Sequence, residues 1–436
     1  MHSRRAQVPV RGRTGSGAWN GVGPSGQVVW WARRWLGGGS AGLDGAITSC
    51  DVDLDAFNEL LTPRGQQALA EAGELAGADP VAAATKLRKS YDAPLTSAAL
   101  TQAGLRARGK AKFGDDARLM YFTPHGLEQS TRKEVAEHRA GRLAGAAVID
   151  ACCGIGGDFV ALARAGCTVT AVDVDPLTVA VARANAEALG LADRVTVTAG
   201  DAAAVRPEDY DVLFVDPARR TSRGRTFDPL AYSPPWPVVL GLVARAERAC
   251  LKVAPGIPYE FIPAEAEAEW VSYKGEVKEA ALWTGDGPTR RATLLPGGHT
   301  MTATNVKAPV GAMGRYIYEP DGAAIRAHLV GEVAELVGGR LLDPLVAYIA
   351  ADEPVDTPWA ARYEVNEIMP FSLKKLRAAL RERQIGNVTI KKRASALDIE
   401  RLRADLRLNG EKSAVIILTR IMARPYALIC DTSPPA

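Results

Sequence analysis

Residues 150–158 read DACCGIGGD and set two carboxylates around three glycines. Gly154, Gly156 and Gly157 allow the backbone to turn tightly and to come close to a bound molecule, and a helix starting behind them aims its free N–H groups outward. Asp173 follows Gly154 by about 20 residues, the spacing at which a carboxylate ending the next strand accepts both hydroxyls of a ribose. A third acid, Asp201, ends the run AGD. Two cofactor classes use such a frame. A dinucleotide asks for GxGxxG with its pyrophosphate at the helix start, whereas the spacing here is GxGG and Asp158 would put a negative charge beside the pyrophosphate. Asp150 suits the cationic amino-acid end of S-adenosylmethionine, and Asp201 suits an adenine amino group. Three acids behind three successive strands favour S-adenosylmethionine.

The elements that must position these residues are legible from residue 146 onward. AAVIDACC, TVTAVDVD, RVTVTAGD and DVLFVDP read as buried strands, with GGDFVALARAG and PLTVAVARANAEALG as helices between them. Apolar strands alternating with helices imply a parallel sheet covered on both faces, with ligands at the carboxyl ends of its strands. LKVAP, AEWVSYKGEVKEAALWTG and RRATLLPGG supply the remaining strands, the last two expected nearer an edge because they are more polar. The expected fold is α/β, a doubly wound seven-stranded Rossmann-like sheet over residues 116–305. A helical region precedes it (46–115), where Asp79 followed by Pro80 marks a helix start. Residues 306–361 read as a connecting segment, with a boundary in DEPVDTPWAARYE. A small α+β domain (362–432) follows, whose helix and strand carry Lys374, Lys375, Arg377, Arg381, Arg383, Lys391, Lys392 and Arg393. Residues 1–45, rich in Gly, Ser and Arg without periodicity, are expected to be a disordered or artefactual extension.

The run DACCGIGGD, followed by AVDVDPLTVAVARANAEALGLADRV and AGD, resembles class I methyltransferases of the trimethylguanosine synthase type, and the upstream YFTPHGLEQSTRKEVAEHRA is similar to their ThrPro-containing lead-in. The C-terminal module resembles the THUMP-like domain of a bacterial group of such enzymes. The resemblance implies an S-adenosylmethionine-dependent methyltransferase acting on RNA. Asp150, Gly154, Gly156 and Gly157 would line the methionine and ribose side of the cofactor, Asp173 the ribose and Asp201 the adenine. Thr123 would approach the methionine carboxylate.

Methyl transfer from a sulfonium releases a neutral sulfide, so the protein has chiefly to align the nucleophile and keep its lone pair free. Amine-methylating members of the family do this with an (Asp/Asn/Ser)ProPro(aromatic) loop after the fourth strand. Two stretches compete for that place. DPAR follows the apolar run LFV directly, so Asp216 could accept from an amine and Pro217 stiffen the turn, but Ala218 and Arg219 stand where the second proline and the aromatic belong. SPPW, Ser233 to Trp236, has the full pattern but lies about 16 residues beyond the strand end, longer than most connections. It also reads as a capped helix start. Asp216, Pro217 and Trp236 are the candidate catalytic residues, with Trp236 as a stacking surface. Arg219, Arg220, Arg223 and Arg225 between them would suit phosphates of a substrate.

With 436 residues and a net charge of +3, composition alone argues neither for nor against a nucleic-acid partner. The six cysteines form no CxxC pair and have no histidine at zinc-ligand spacing, which points to a reducing cytoplasm and no structural metal. No apolar run reaches the roughly 18 residues of a membrane helix. Cys152 and Cys153 read as small buried residues rather than nucleophiles. His125 and His138, without a carboxylate at telling spacing, read as surface or capping residues. Ala218 and Arg219 leave open an RNA-binding chain that has lost its chemistry, and a small molecule or protein as the methylated substrate is the other alternative.

Overall fold

The apolar runs after residue 146 become one sheet. The computed structural model describes residues 53–431 apart from 219, 222, 223, 226 and 227. The extension expected at 1–45 therefore lies outside the described residues. β1 (Ala147–Asp150), β2 (Thr168–Asp173), β3 (Val195–Ala199) and β4 (Val212–Val215) run parallel, with β1 paired to both β2 and β4. β5 (Arg220–Thr221) and β6 (Gly224–Arg225) form a separate short ladder. β7 (Ala249–Val253), β8 (Glu267–Tyr273), β9 (Glu276–Thr284), β10 (Arg290–Leu295) and β11 (His299–Thr302) complete the large sheet, in the order β3-β2-β1-β4-β7-β9-β8-β10-β11. The direction of winding reverses between β1 and β4, the switch point at which open α/β sheets leave a crevice.

The doubly wound α/β sheet is thus present, with nine strands where seven were expected. β11 folds back on β10 because Gly298, at φ +70°, turns the chain tightly between them. Both faces are covered. Val239 and Leu242 of the helix Trp236–Val243 pack with Leu213, Leu251 and Leu282 on one face, and Ala136, Phe159 and Val179 pack with Val148, Val169 and Phe214 on the other.

The polar character of β8 and β9 does not mark an edge. β9 lies between β7 and β8, inside the sheet, and Glu267, Glu269 and Glu279 are buried there. They answer cations: half-buried Arg142 lies against Glu267 and Glu269, and buried Arg139 against Glu279.

The N-terminal region forms the helices Leu54–Leu60, Pro63–Glu74, Pro80–Leu87 and Ala93–Phe113. Asp79 caps the third as expected, accepting from the Ala82 N–H with Pro80 in the first turn. Phe57, Leu60, Leu95 and Leu105 share one core with Val181 and Ala184 of the helix Pro176–Ala188 and with Ile155 of the glycine-rich turn. The helical region therefore braces the back of the crevice.

A second sheet contains β12 (Tyr316–Pro320), β13 (Arg340–Asp343), β14 (Val346–Ala351), β15 (Ala360–Pro370), β16 (Ile385–Lys392), β17 (Lys412–Ile421) and β18 (Arg424–Cys430), ordered β13-β14-β12-β15-β18-β17-β16. Residues 306–361 are therefore not a mere connection. The first half of β15 pairs with β12 and the second half, after an irregularity at Val365–Glu367, with β18, so one strand carries the sheet past the boundary expected at 352–364.

Candidate active site

A cavity of about 630 Å³ opens at the carboxyl ends of β1 to β4. Gly154 and Gly156 both have positive φ, +54° and +96°, which explains two of the three glycines directly. A Cβ on Gly156 would also sit 2.3 Å from the Phe159 ring, so this glycine serves the packing of the turn. Gly154 and Gly157 line the cavity themselves. Gln102 bonds the Phe122 N–H and carbonyl, while buried Asn185 accepts from the Tyr121 N–H and donates to the Tyr121 and Ile155 carbonyls. The lead-in YFTPHG and the glycine turn are thereby held to one helix.

The three acids expected to hold the cofactor differ in environment. Asp150 is fully buried under the floor; its Oδ1 accepts only a long bond from the Cys152 N–H at 3.4 Å, and its Oδ2 has no partner. Burial, with the charge of Asp158 added, pushes its carboxyl well above the usual carboxylate range. Asp173 accepts from the N–H groups of Gly154 and Asp175, both at 3.0 Å, and burial raises its carboxyl too. Asp201 lines the cavity and also caps the short turn Ala202–Ala204 through the Ala203 N–H. A pocket position and a cap are thus combined in one carboxylate.

Thr123 stands differently from its expected role. Its Oγ1 accepts from the Gly126 N–H and caps the helix Pro124–Gln129, while Gly126, Gln129 and Ser130 form the cavity wall in its place. A Cβ on Gly126 would meet Ile155 at 2.4 Å, so the wall and the glycine turn touch closely only because this residue is Gly. The wall is anchored from behind by Lys112, whose ammonium donates to the carbonyls of Leu127, Glu128 and Ser130 at 2.7, 2.7 and 2.9 Å. Arg106 is likewise spent on the Met120 and Leu119 carbonyls, so these two of the basic residues of LRARGKAKFG are tethers.

On the far side of the cavity DPAR and SPPW prove to be one structure. Ala218 and Ser233 form an antiparallel bridge, N–H to O at 2.8 and 3.0 Å, which seats Ser233, Pro234 and Pro235 beside Asp216 and Pro217 on the same wall. Trp236 is a correction. It begins the helix after the turn, is 3% exposed, and packs edge-on against Tyr232 and Phe261 in the core, because the apolar face of that helix points at the sheet. It offers the cavity no stacking surface. Arg219 and Arg223 lie outside the described residues, and only the backbone pairing of Arg220 and Arg225 is described.

Sequence reasoning missed the charges beneath this wall. Lys252, in the middle of β7, lies against Asp216 and 3.9 Å from Asp158. Asp158 also accepts from the Thr131 hydroxyl at 2.8 Å and pairs with Arg139, which pairs in turn with Glu279. Burial works against the charge of Asp158, but Arg139 and Lys252 outweigh it and hold the carboxyl below its ordinary value. The one signal in the sequence was a lysine inside an otherwise apolar strand. His138, read as a surface residue, meets buried Glu269 at 2.7 Å, and burial of Glu269 is outweighed by His138 so that its carboxyl is held at about 2. The C-terminal basic residues are largely occupied: Lys391 and Arg393 by Glu319, Arg383 by Glu367, Lys392 by the Leu397 carbonyl. Lys374 and Lys375 are exposed. Among the described residues no group of three or more His, Cys, Asp and Glu could hold a metal ion, and no helix is long and apolar enough to cross a membrane.

The cavity fits S-adenosylmethionine on its own chemistry. A buried carboxylate oxygen of Asp150 without a partner, next to the cavity-lining Ala151 and Cys152, would answer a cation, Asp173 lines the cavity where a carboxylate can accept from a diol, and the crevice follows a glycine turn at the switch point. The sequence matches the family of RNA cap guanine-N2 methyltransferases over residues 145–239, a THUMP domain-like family over 360–432 and a domain of unknown function over 53–109. An uncharacterized S-adenosylmethionine-dependent methyltransferase of Mycobacterium tuberculosis is 36% identical over 348 residues, covering 76% of this chain and 95% of the relative. An uncharacterized RNA methyltransferase of Parasynechococcus marenigrum is 36% identical over 91 residues, 20% of each chain. The crystal structure of a Porphyromonas gingivalis W83 chain assigned as a methyltransferase superposes with a TM-score of 0.69 over 85% of this chain and 99% of that one, at 21% identity, a likeness of fold. By its cavity and by the length and identity of this kinship, the chain belongs to the S-adenosylmethionine-dependent methyltransferases.

Proposed function

We propose that the chain methylates a base nitrogen of RNA in the cytoplasm. The observation that carries this reading is the placement of Asp216, paired to a buried lysine, in the cavity that Asp173 and Asp201 also line and next to Ser233–Pro235. S-adenosylmethionine, when bound, supplies an electrophilic methyl group. Asp150, Gly154, Gly157, Asp173 and Asp201 would hold it. Asp216 accepts an N–H of the substrate amine, orients the nitrogen and leaves its lone pair free, while Pro217 and the Ala218–Ser233 bridge fix the wall against which the base lies. The RNA substrate is supported by the family of guanine-N2 methyltransferases matched over 145–239, by the THUMP-like family matched over 360–432, and by the RNA methyltransferase among the relatives. Arg219, Arg220, Arg223 and Arg225 remain the proposed phosphate contacts, with Lys374 and Lys375 as further ones.

The reading is tested by digesting total RNA from a deletion strain and its parent to nucleosides and comparing them by mass spectrometry. One N-methylated nucleoside should be missing from the deletion strain and return with the wild-type gene but not with Asp216→Ala. Identical nucleoside profiles would refute an RNA substrate while leaving the methyltransferase assignment in place.

A further inference from the structure

We infer that Lys252 is a positioning residue for methyl transfer, fixing the charge and orientation of Asp216; the inference rests on the reading of Asp216 as the amine-side carboxylate. Five groups form a line of alternating charge from the core to the cavity: Glu279, Arg139, Asp158, Lys252 and Asp216. Each interior member stands between two opposite charges, as a buried ion must if it is to remain ionised. The line ends in the core at Glu279 and at the cavity at Asp216, which has 22% of its side chain exposed and lines the cavity. Lys252 is 4% exposed and does not itself line the cavity, so it reaches the substrate only through Asp216.

The placement has a structural cause. β7 lies between β4 and β9 in the sheet, so a side chain from β7 can reach both Asp216, at the end of β4, and Asp158, beside the glycine turn after β1. Lys252 therefore joins the substrate wall to the cofactor turn through one ammonium. An arginine could keep both contacts; a methionine of similar length keeps the packing and loses both. Without the cation, Asp216 would face Asp158 uncompensated and turn toward the cavity mouth, away from the amine. Misplacement of this order costs on the order of 100-fold in rate.

The test compares Lys252→Met, Lys252→Arg, Asp216→Asn and the double variant Lys252→Met/Asp216→Asn in the full chain. Total RNA from the deletion strain is the substrate, and calorimetry with S-adenosylmethionine alone gives a readout independent of turnover. Lys252→Met should lower kcat on the order of 100-fold while the KM for RNA and the Kd for S-adenosylmethionine stay within about threefold. Lys252→Arg should recover most of kcat, and the double variant should be no slower than Asp216→Asn, as expected of two residues acting as a unit. The double variant also removes both charges of the pair, so it reports on the coupling even where Lys252→Met alone, leaving Asp216 unpaired, fails to fold. Losses that multiply in the double variant, or a Kd for S-adenosylmethionine that rises with the loss of kcat, would overturn the inference. Wild-type kcat in Lys252→Met beside a dead Asp216→Asn overturns it alone; wild-type kcat in Asp216→Asn overturns it together with the role of Asp216.

Discussion

Asp150 works against the stability of the unliganded protein. Ionising a carboxyl that is buried beside Asp158 without a full set of partners opposes folding, and the value of Asp150 lies in the cation it is ready to receive. The sign follows from linkage. A carboxyl whose pKa is higher folded than unfolded costs stability increasingly as pH rises from the unfolded value, about 3.9, through the folded one. Asp150→Asn should therefore raise the melting temperature of the unliganded protein by a few degrees at pH 7, and the gain should vanish as the pH falls toward 4. The same substitution should weaken S-adenosylmethionine binding at least tenfold by calorimetry, because a charge-assisted contact is lost. A melting temperature lowered at pH 7 would show that Asp150 has partners. Asp150, Asp173, Asp201 and the glycines were legible in the sequence because each follows a strand at short range. Lys252, Arg139 and Glu279 were not, since their partners lie 19 to 140 residues away and pairing across a fold leaves no spacing signal.

The cavity depends on two short elements held in place from outside themselves. The wall 126–130 owes its position to Lys112 at the end of a helix from another region, and nothing near Lys112 in the sequence names the three carbonyls it holds. Lys112→Ala removes this shared donor from the wall, so backbone amide exchange across 126–131 should quicken and the Kd for S-adenosylmethionine should rise about three- to tenfold. Burial, reinforced by the nearby Lys252 and Arg132, holds the Lys112 ammonium down to about 8. Its folded value is below that of an unfolded lysine, so the unfolded state binds more protons between about pH 8 and 10.5. The stability of wild type relative to Lys112→Met should rise across that window, read from melting curves at each pH. At the glycine turn, Gly156→Ala meets both a positive φ and the Phe159 ring, and should cost about 1–2 kcal/mol for the backbone alone. Urea unfolding would measure it. SPPW misled at this scale: its aromatic satisfied a motif, but the helix that follows turns an apolar face to the sheet and takes Trp236 with it.

Across the whole molecule, the two sheets are divided differently from the reading by composition. Pro and Asp between 352 and 359 suggested a linker, yet the chain re-enters a sheet at Ala360, and β15 pairs with strands from both sides of the expected boundary. The sequence match to the THUMP-like family, 360–432, begins at that strand and not at the edge of the sheet. Deleting 360–436 would strip β12 of a neighbour and uncover Ile317 and Tyr348, which are buried against β17 and β18. Such a truncation should aggregate in size-exclusion chromatography; a stable monomer would show that 53–359 folds without it. The parallel sheet was legible from its alternation of strands and helices, and so were the strands of the small α+β domain, whereas their continuation into β12–β14 was not, because β15 reaches β12 across the whole β13–β14 hairpin.

The most direct test of S-adenosylmethionine-dependent RNA methylation uses the purified full chain, methyl-labelled S-adenosylmethionine and total RNA from the deletion strain, with nucleosides analysed after digestion. Label should appear on a single N-methylated base, at a rate lowered at least about 100-fold for Asp216→Asn although that variant still binds S-adenosylmethionine. Binding of S-adenosylmethionine with no label in RNA from the wild-type chain would contradict it.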